Sequence, residues 1–126
     1  MSASFGKTWD ALIDQFADRN IPIKTIERAS GLIATDPLRV GESLLDAADC
    51  GKDWTGTKVY PTNVVYNALV RGDSSHSTIR ITARWSRIGA SREMGTHGDV
   101  NEECSSRAAW ETEIENAVKT VAESRK

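Results

Sequence analysis

Asn63-Val64-Val65-Tyr66-Asn67-Ala68-Leu69-Val70-Arg71, then Gly72-Asp73-Ser74-Ser75, then Thr78-Ile79-Arg80-Ile81-Thr82-Ala83-Arg84-Trp85-Ser86, is the stretch that decides the fold. In the first run Val64, Tyr66, Ala68 and Val70 alternate with Val65, Asn67 and Leu69. In the second, Ile79, Ile81, Ala83 and Trp85 alternate with Thr78, Arg80, Thr82, Arg84 and Ser86. Alternation at period two places one set on each face of a strand. The pair reads as an antiparallel hairpin, dry on one side and wet on the other.

An earlier hairpin is expected from Ile21 to Arg28 and Leu32 to Asp36, turning at Ala29-Ser30-Gly31, where glycine supplies a positive φ. The phase slips between Ile23 and Ile26, and a bulge there would reconcile it. Ahead of it, Trp9, Leu12, Ile13 and Phe16 form the stripe of an amphipathic helix. Asn20 and Pro22 end that helix, asparagine by a left-handed cap and proline by its missing amide. A second helix follows Cys104, capped by Ser105 or Ser106, with Trp110, Ile114, Ala117, Val118 and Val121 on its dry side.

Between the hairpins, residues 37–61 are punctuated by Pro37, Gly41, Gly51, Gly56 and Pro61, with a helical turn or two expected from Glu42 to Ala48. The order helix, two strands, long connection, two strands, helix predicts a single α+β domain over residues 1–126. Its expected form is a two-layer sandwich, a four-stranded antiparallel sheet covered by N- and C-terminal helices.

Length supports one core, since a chain of 126 residues buries roughly two thirds of its unfolded surface. Apolar residues make up 39% and charged residues 27%, which excludes the disordered class. A formal charge of −2 gives no global drive toward nucleic acid or anionic membranes. No apolar run reaches the roughly 20 residues of a membrane-spanning helix. Met1-Ser2-Ala3-Ser4 leads straight into Phe5-Gly6-Lys7 without the pattern of a signal peptide. The chain is therefore expected either to be cytoplasmic or to be an exported domain whose signal has been replaced by a start methionine.

The start of the chain carries a resemblance. Trp9-x-x-Leu12-Ile13-x-x-Phe16, Asn20-Ile21-Pro22-Ile23 and Ser30-Gly31-Leu32-Ile33-Ala34-Thr35 resemble the helix–strand–Gly–strand opening of BamC-type domains, helix-grip modules of bacterial outer-membrane lipoproteins. Asp49-Cys50-Gly51, and Cys104-Ser105-Ser106 before a helix, are similar to small exported lipoprotein domains of unassigned function. The resemblance implies a periplasmic or outer-membrane-associated accessory domain that binds envelope proteins and performs no chemistry. Any lipid tether is expected outside this sequence, which has no lipidated N-terminal cysteine.

The side chains that invite a chemical role are few. Cys50 and Cys104 are either a disulfide or two buried thiols. As a disulfide they would fasten the long connection to the foot of the last helix, stabilising by about 4 kcal/mol on the chain-entropy model. Zinc would need His76 and His97 as further ligands, and no Cys-x-x-Cys motif supports redox exchange, so no metal, cofactor or catalytic residue is expected. The histidines read as exposed loop residues. Gly89 to Asn101 reads as a mobile connection, since it lacks the spacing of a phosphate cradle.

Arg80 and Arg84 share the wet face of one strand, and Arg71 on its neighbour points the same way. Such a row can grip carboxylates or phosphates. It is equally an ordinary solvated face whose long side chains cover Val65 and Leu69 and pair with Glu27 or Asp36. Trp85 and Tyr66 fall on the dry face, which argues against an RNA-binding sheet. Trp54, near Cys50, either covers the disulfide or stands exposed as a partner anchor. Two functions follow: a non-enzymatic exported domain acting through partner contacts, or a ligand-binding module using a groove between the last helix and the sheet, lined by Tyr66, Trp85 and Trp110.

Overall fold

The structure, a computed structural model, describes residues 1–52, 55–90 and 99–125, and for 88–90 and 99–102 the backbone only. Its elements in chain order are α1 (Phe5–Asp18), β1 (Ile23–Glu27), β2 (Leu32–Thr35), β3 (Leu38–Arg39), β4 (Ala48–Asp49), β5 (Asn63–Gly72), β6 (Ser77–Ala90), β7 (Asp99–Ser106) and α2 (Ala109–Ser124). The fold is α+β, an antiparallel sheet with a helix at each end of the chain. Among the described residues the sheet has seven strands, however, not the expected four, in the order β1-β2-β5-β6-β7-β4, with β3 also paired to β5.

The extra strands have identifiable causes. β3 and β4 are two residues each, too short for any alternation to show. β7 is polar along most of its length, Asp-Val-Asn-Glu-Glu-Cys-Ser-Ser, so its residues gave no dry stripe. The expected loop from Gly89 to Asn101 is thereby corrected. Gly89 and Ala90 continue β6, and Asp99, Val100 and Asn101 belong to β7. The core of that loop, including Arg92 and His97, lies outside the described residues. β6 outruns β5, whose last partner is Ser86, and from Arg87 onward it pairs with β7 alone.

The β5–β6 hairpin forms as its alternation requires. Its ladder runs from Asn63↔Ser86 to Gly72↔Ser77 without a slip. Val64, Tyr66, Ala68 and Val70 are buried, as are Ile81, Ala83 and Trp85. In the first hairpin the register shifts between Ile23 and Thr25, where the sequence demanded a bulge. A 3₁₀ turn over Arg28–Ser30 ends in Gly31 at φ +68°. The Gly31 carbonyl accepts from the Val70 amide at 2.8 Å, so β2 approaches β5 closely here.

Both helices pack on the same face of the sheet. Ser4 caps α1, its hydroxyl accepting from the Lys7 amide at 3.2 Å, and Asn20 takes the left-handed conformation, φ 57°, that ends it. Trp9, Leu12 and Phe16 are buried, with Ile13 half-buried, and the Phe16 ring meets Tyr66 at 6.1 Å. α2 starts without the expected serine cap: its N-cap is Ala108 at φ 64°, because Ser105 and Ser106 belong to β7. Its buried side is Glu111, Ile114, Val118 and Ala122, while Trp110, Ala117 and Val121 are only half-buried. The dry stripe is thus rotated relative to the expected one. No helix is long and apolar enough to cross a membrane among the described residues.

Gly31 offers a direct check. A Cβ there would run into the Val70 carbonyl oxygen, and the positive φ adds strain. Gly31→Ala should lower stability by at least about 1–2 kcal/mol. For a domain of this size that is a fall of several degrees in Tm. An unchanged melting temperature would refute the close approach of β2 to β5.

Candidate functional site

Two faces of the sheet compete for function, and they differ in what fills them. The inner face carries Tyr66, Trp85 and, from α2, Trp110, the side chains expected to line a ligand groove. The Trp110 indole instead donates to the Tyr66 hydroxyl at 2.7 Å. The Trp85 indole, 0% exposed, donates to Glu111 Oε1 at 3.1 Å. The other oxygen of that carboxylate accepts from the Ser106 hydroxyl at 2.8 Å. One turn on, Glu115 Oε1 accepts the Ile81 backbone amide at 2.9 Å, on the side of β6 that β7 leaves unpaired. At the near end Thr8 and Ser77 hydroxyls meet at 2.6 Å, both buried. Arg19, at the end of α1, lies over the Trp110 ring at 4.8 Å and beside Glu113 at 3.7 Å.

These bonds close the inner layer. Burial pushes the Tyr66 phenol above its ordinary value, outweighing the Trp110 hydrogen bond that favours its anion. No functional reading of the sequence had singled out Glu111. A lone glutamate one position past a tryptophan on an amphipathic helix looks like ordinary solvated polarity, and only the rotated stripe turns it inward.

The cysteines form the disulfide Cys50–Cys104, spanning 54 residues. Cys104 lies in β7 opposite Trp85, rather than at the foot of the last helix, so the bond ties the long connection to the sheet. β4 pairs beside it, Ala48↔Ser106 and Asp49↔Ser105. Trp54 lies outside the described residues, and nothing bears on its role as cover or anchor. His76 is exposed in the β5–β6 turn, its Nδ1 at 3.2 Å from the Ser75 hydroxyl. Asp73 organises that turn, and amide bonds from Ser75 and His76 hold its carboxyl below the usual range.

Among the described residues no helix lies on the outer face. The ladder sets Arg71 opposite Thr78, Leu69 opposite Arg80, Asn67 opposite Thr82, Val65 opposite Arg84 and Asn63 opposite Ser86. Arg71, Arg80 and Arg84 are therefore on one face, as their alternation implied, and all three are exposed. Arg39 joins their face, since β3 sets it opposite Asn63. Leu32 and Ala34, opposite Leu69 and Asn67, extend the half-buried apolar ground that Leu69 and Val65 begin.

The arginines do not all behave alike. The Arg71 guanidinium donates to the Ser30 carbonyl, which fixes it over the first turn. Arg84 pairs with Glu103 of β7 at 3.5 Å, not with Glu27 or Asp36, and both side chains stay about two-thirds exposed. Asp36 pairs instead with Lys24 at 3.3 Å. Beside that pair opens a groove of about 410 Å³, lined by Val65, Asn67, Arg84, Trp85, Ser86 and Glu103. A second groove of about 480 Å³ lies by Tyr60, Arg39, Leu45 and Pro61, near the end of the sheet. Among the described residues no three His, Cys, Asp or Glu side chains converge as a metal site would require.

Tyr66 gives this packing a pH signature. Its folded value is raised, so its contribution to stability is complete below about pH 10, the unfolded value, and is lost as pH rises through the folded one. The phenolate absorbance of the wild type should therefore finish rising at higher pH than that of Tyr66→Phe. Coincident end points would show Tyr66 to be solvated.

Comparison with known proteins finds no matching family model, no matching curated protein and no matching solved structure.

Proposed function

We propose that this chain is a non-enzymatic domain of a bacterial exported protein that docks a carboxylate-rich envelope protein on the outer face of its sheet. The observation that carries the reading is the division of the two faces. Both helices are spent on the inner one, and the outer one presents Arg71, Arg80 and Arg84 over half-buried apolar ground. Guanidinium groups in that setting favour carboxylate partners, which they bind bidentately.

The disulfide supports the compartment. Such bonds persist mainly where the surroundings are oxidising, which in bacteria means beyond the inner membrane. An N-terminal helix, antiparallel strands and a C-terminal helix also suit a BamC-like, helix-grip domain, although the sheet is wider than that expectation. The domain would then belong to a periplasmic or outer-membrane lipoprotein. The competing reading, a ligand held between α2 and the sheet, has the Trp85–Glu111 and Trp110–Tyr66 bonds against it.

A photo-crosslinking amino acid at Thr82, at the centre of the outer face, tests the docking. In native cells it should yield a discrete adduct with an envelope protein, whereas the same probe at the exposed Lys119 of α2 should not. Trapping thiols in the same cells should find Cys50 and Cys104 blocked until reductant is added. Adducts from position 119 alone, or freely alkylated cysteines, would count against the proposal.

A further inference from the structure

The spacing of the outer-face arginines narrows what the partner presents. Arg80 and Arg84 stand four positions apart on one strand and on one face. At a rise of roughly 3.4 Å per residue their Cα atoms are about 14 Å apart. An extended chain with carboxylates at i and i+4 has the same repeat. A helix with that spacing brings them only about 6 Å apart along its axis, a poorer match to the two arginines. We infer that the docked element is an extended protein segment with two carboxylates four residues apart, lying along β6 with one carboxylate on Arg80 and the other on Arg84. This inference rests on the docking reading above and specifies its partner.

Three further features fit such a segment. Between the two arginines the face presents Thr82 and Asn67, opposite one another, whose side chains can hydrogen-bond a passing backbone. Alongside run Leu69 and Val65, half-buried, as ground for the intervening side chain. At the Arg84 end the groove of about 410 Å³ gives the second carboxylate a recess.

Glu103 sets the register. Its pair with Arg84 is exposed on both sides, so it exchanges readily with an incoming carboxylate. Beyond Arg84, the same glutamate repels a third acidic group. The acidic pair must therefore end at Arg84, and a partner cation just past it is favoured.

The chemistry of the face separates a protein from other polyanions. An anionic membrane would be drawn by net positive charge or by inserted apolar side chains. The chain carries −2, and of the large exposed apolar residues among those described, Ile26 is on the other face and Tyr60 lies by the groove at the end of the sheet. Single-stranded nucleic acid would want aromatic rings interleaved with the arginines. Tyr66 and Trp85 face the other way.

The test uses short Thr/Val-rich peptides and isotope-labelled protein, followed by backbone amide shifts at low salt. A peptide with two Glu four residues apart should move the amides around Arg80, Thr82 and Arg84. A peptide with Glu two residues apart, which loses one of the two pairs, should bind up to about fivefold more weakly, the upper range for one exposed charge pair, and the Gln twin, which loses both, more weakly still. Arg80→Gln and Arg84→Gln should each weaken binding severalfold, and raising the salt should do the same.

Equal binding of the Gln twin, or shifts confined to another face, would overturn the inference. So would the absence of any peptide binding. In that case a persistent crosslink from position 82 would leave the docking reading standing without this partner, and its loss would remove both. Phosphatidylglycerol vesicles serve as the remaining arm. Binding to them that depends on Arg80 and Arg84, without peptide binding, would assign the face to a membrane surface and overturn the inference.

Discussion

A carboxylate in the first turn of α2 holds the two layers together. Glu111 is only 6% exposed, yet both of its oxygens are engaged, one by the Trp85 indole and one by the Ser106 hydroxyl. Its position near a helix N-terminus suits its negative charge. Hydrogen bonds to charged groups contribute about 1.5–3 kcal/mol, and deleting this one would also leave a buried indole N–H without an acceptor. With Glu111 placed, α2 is placed as well. Trp110 reaches Tyr66, Glu115 reaches the Ile81 amide, and the stretch of β6 that β7 does not cover receives the helix instead.

The covalent clamp acts at the same end of the molecule. Cys104 lies opposite Trp85 in the β6–β7 ladder, two residues before Ser106, so the disulfide and the carboxylate hold neighbouring points of β7. One ties in the long connection between the hairpins, and the other ties in the last helix. Together they close the inner face, and among the described residues no helix covers the outer one. The arginine row is meaningful only because of that division. On a sheet covered from both sides, Arg80 and Arg84 would be buried charges in need of partners.

How much of this was legible in the sequence depended on periodicity. β5 and β6 are each apolar on alternate residues, and their pattern gave both the hairpin and the shared face of Arg71, Arg80 and Arg84. The bulge near Thr25 was legible for the same reason, as a phase slip between Ile23 and Ile26. β7 was not, because a strand that is polar along most of its length shows no apolar stripe. Missing β7 hid Glu103 as the partner of Arg84 and put Cys104 at the wrong place. It also made Ser105 and Ser106 look like helix caps, although Ser106 does serve the helix start by accepting from the Ala108 amide. Glu111 was hidden by size: Trp110 dominated the helical stripe, and the true buried side lies one residue further round.

The central claim is that α2 seals the inner face, so that among the described residues the outer one is the face left to the proposed partner. Hydrogen exchange of the Trp85 indole proton, resolved by NMR, tests it most directly, since that proton is given to Glu111 beneath the helix. The account predicts protection close to that of the most stable backbone amides of β5 and β6, with exchange only on global unfolding. Exchange at the rate of an exposed indole would mean that α2 lifts from the sheet. The inner face would then be the open one, and the account would be contradicted.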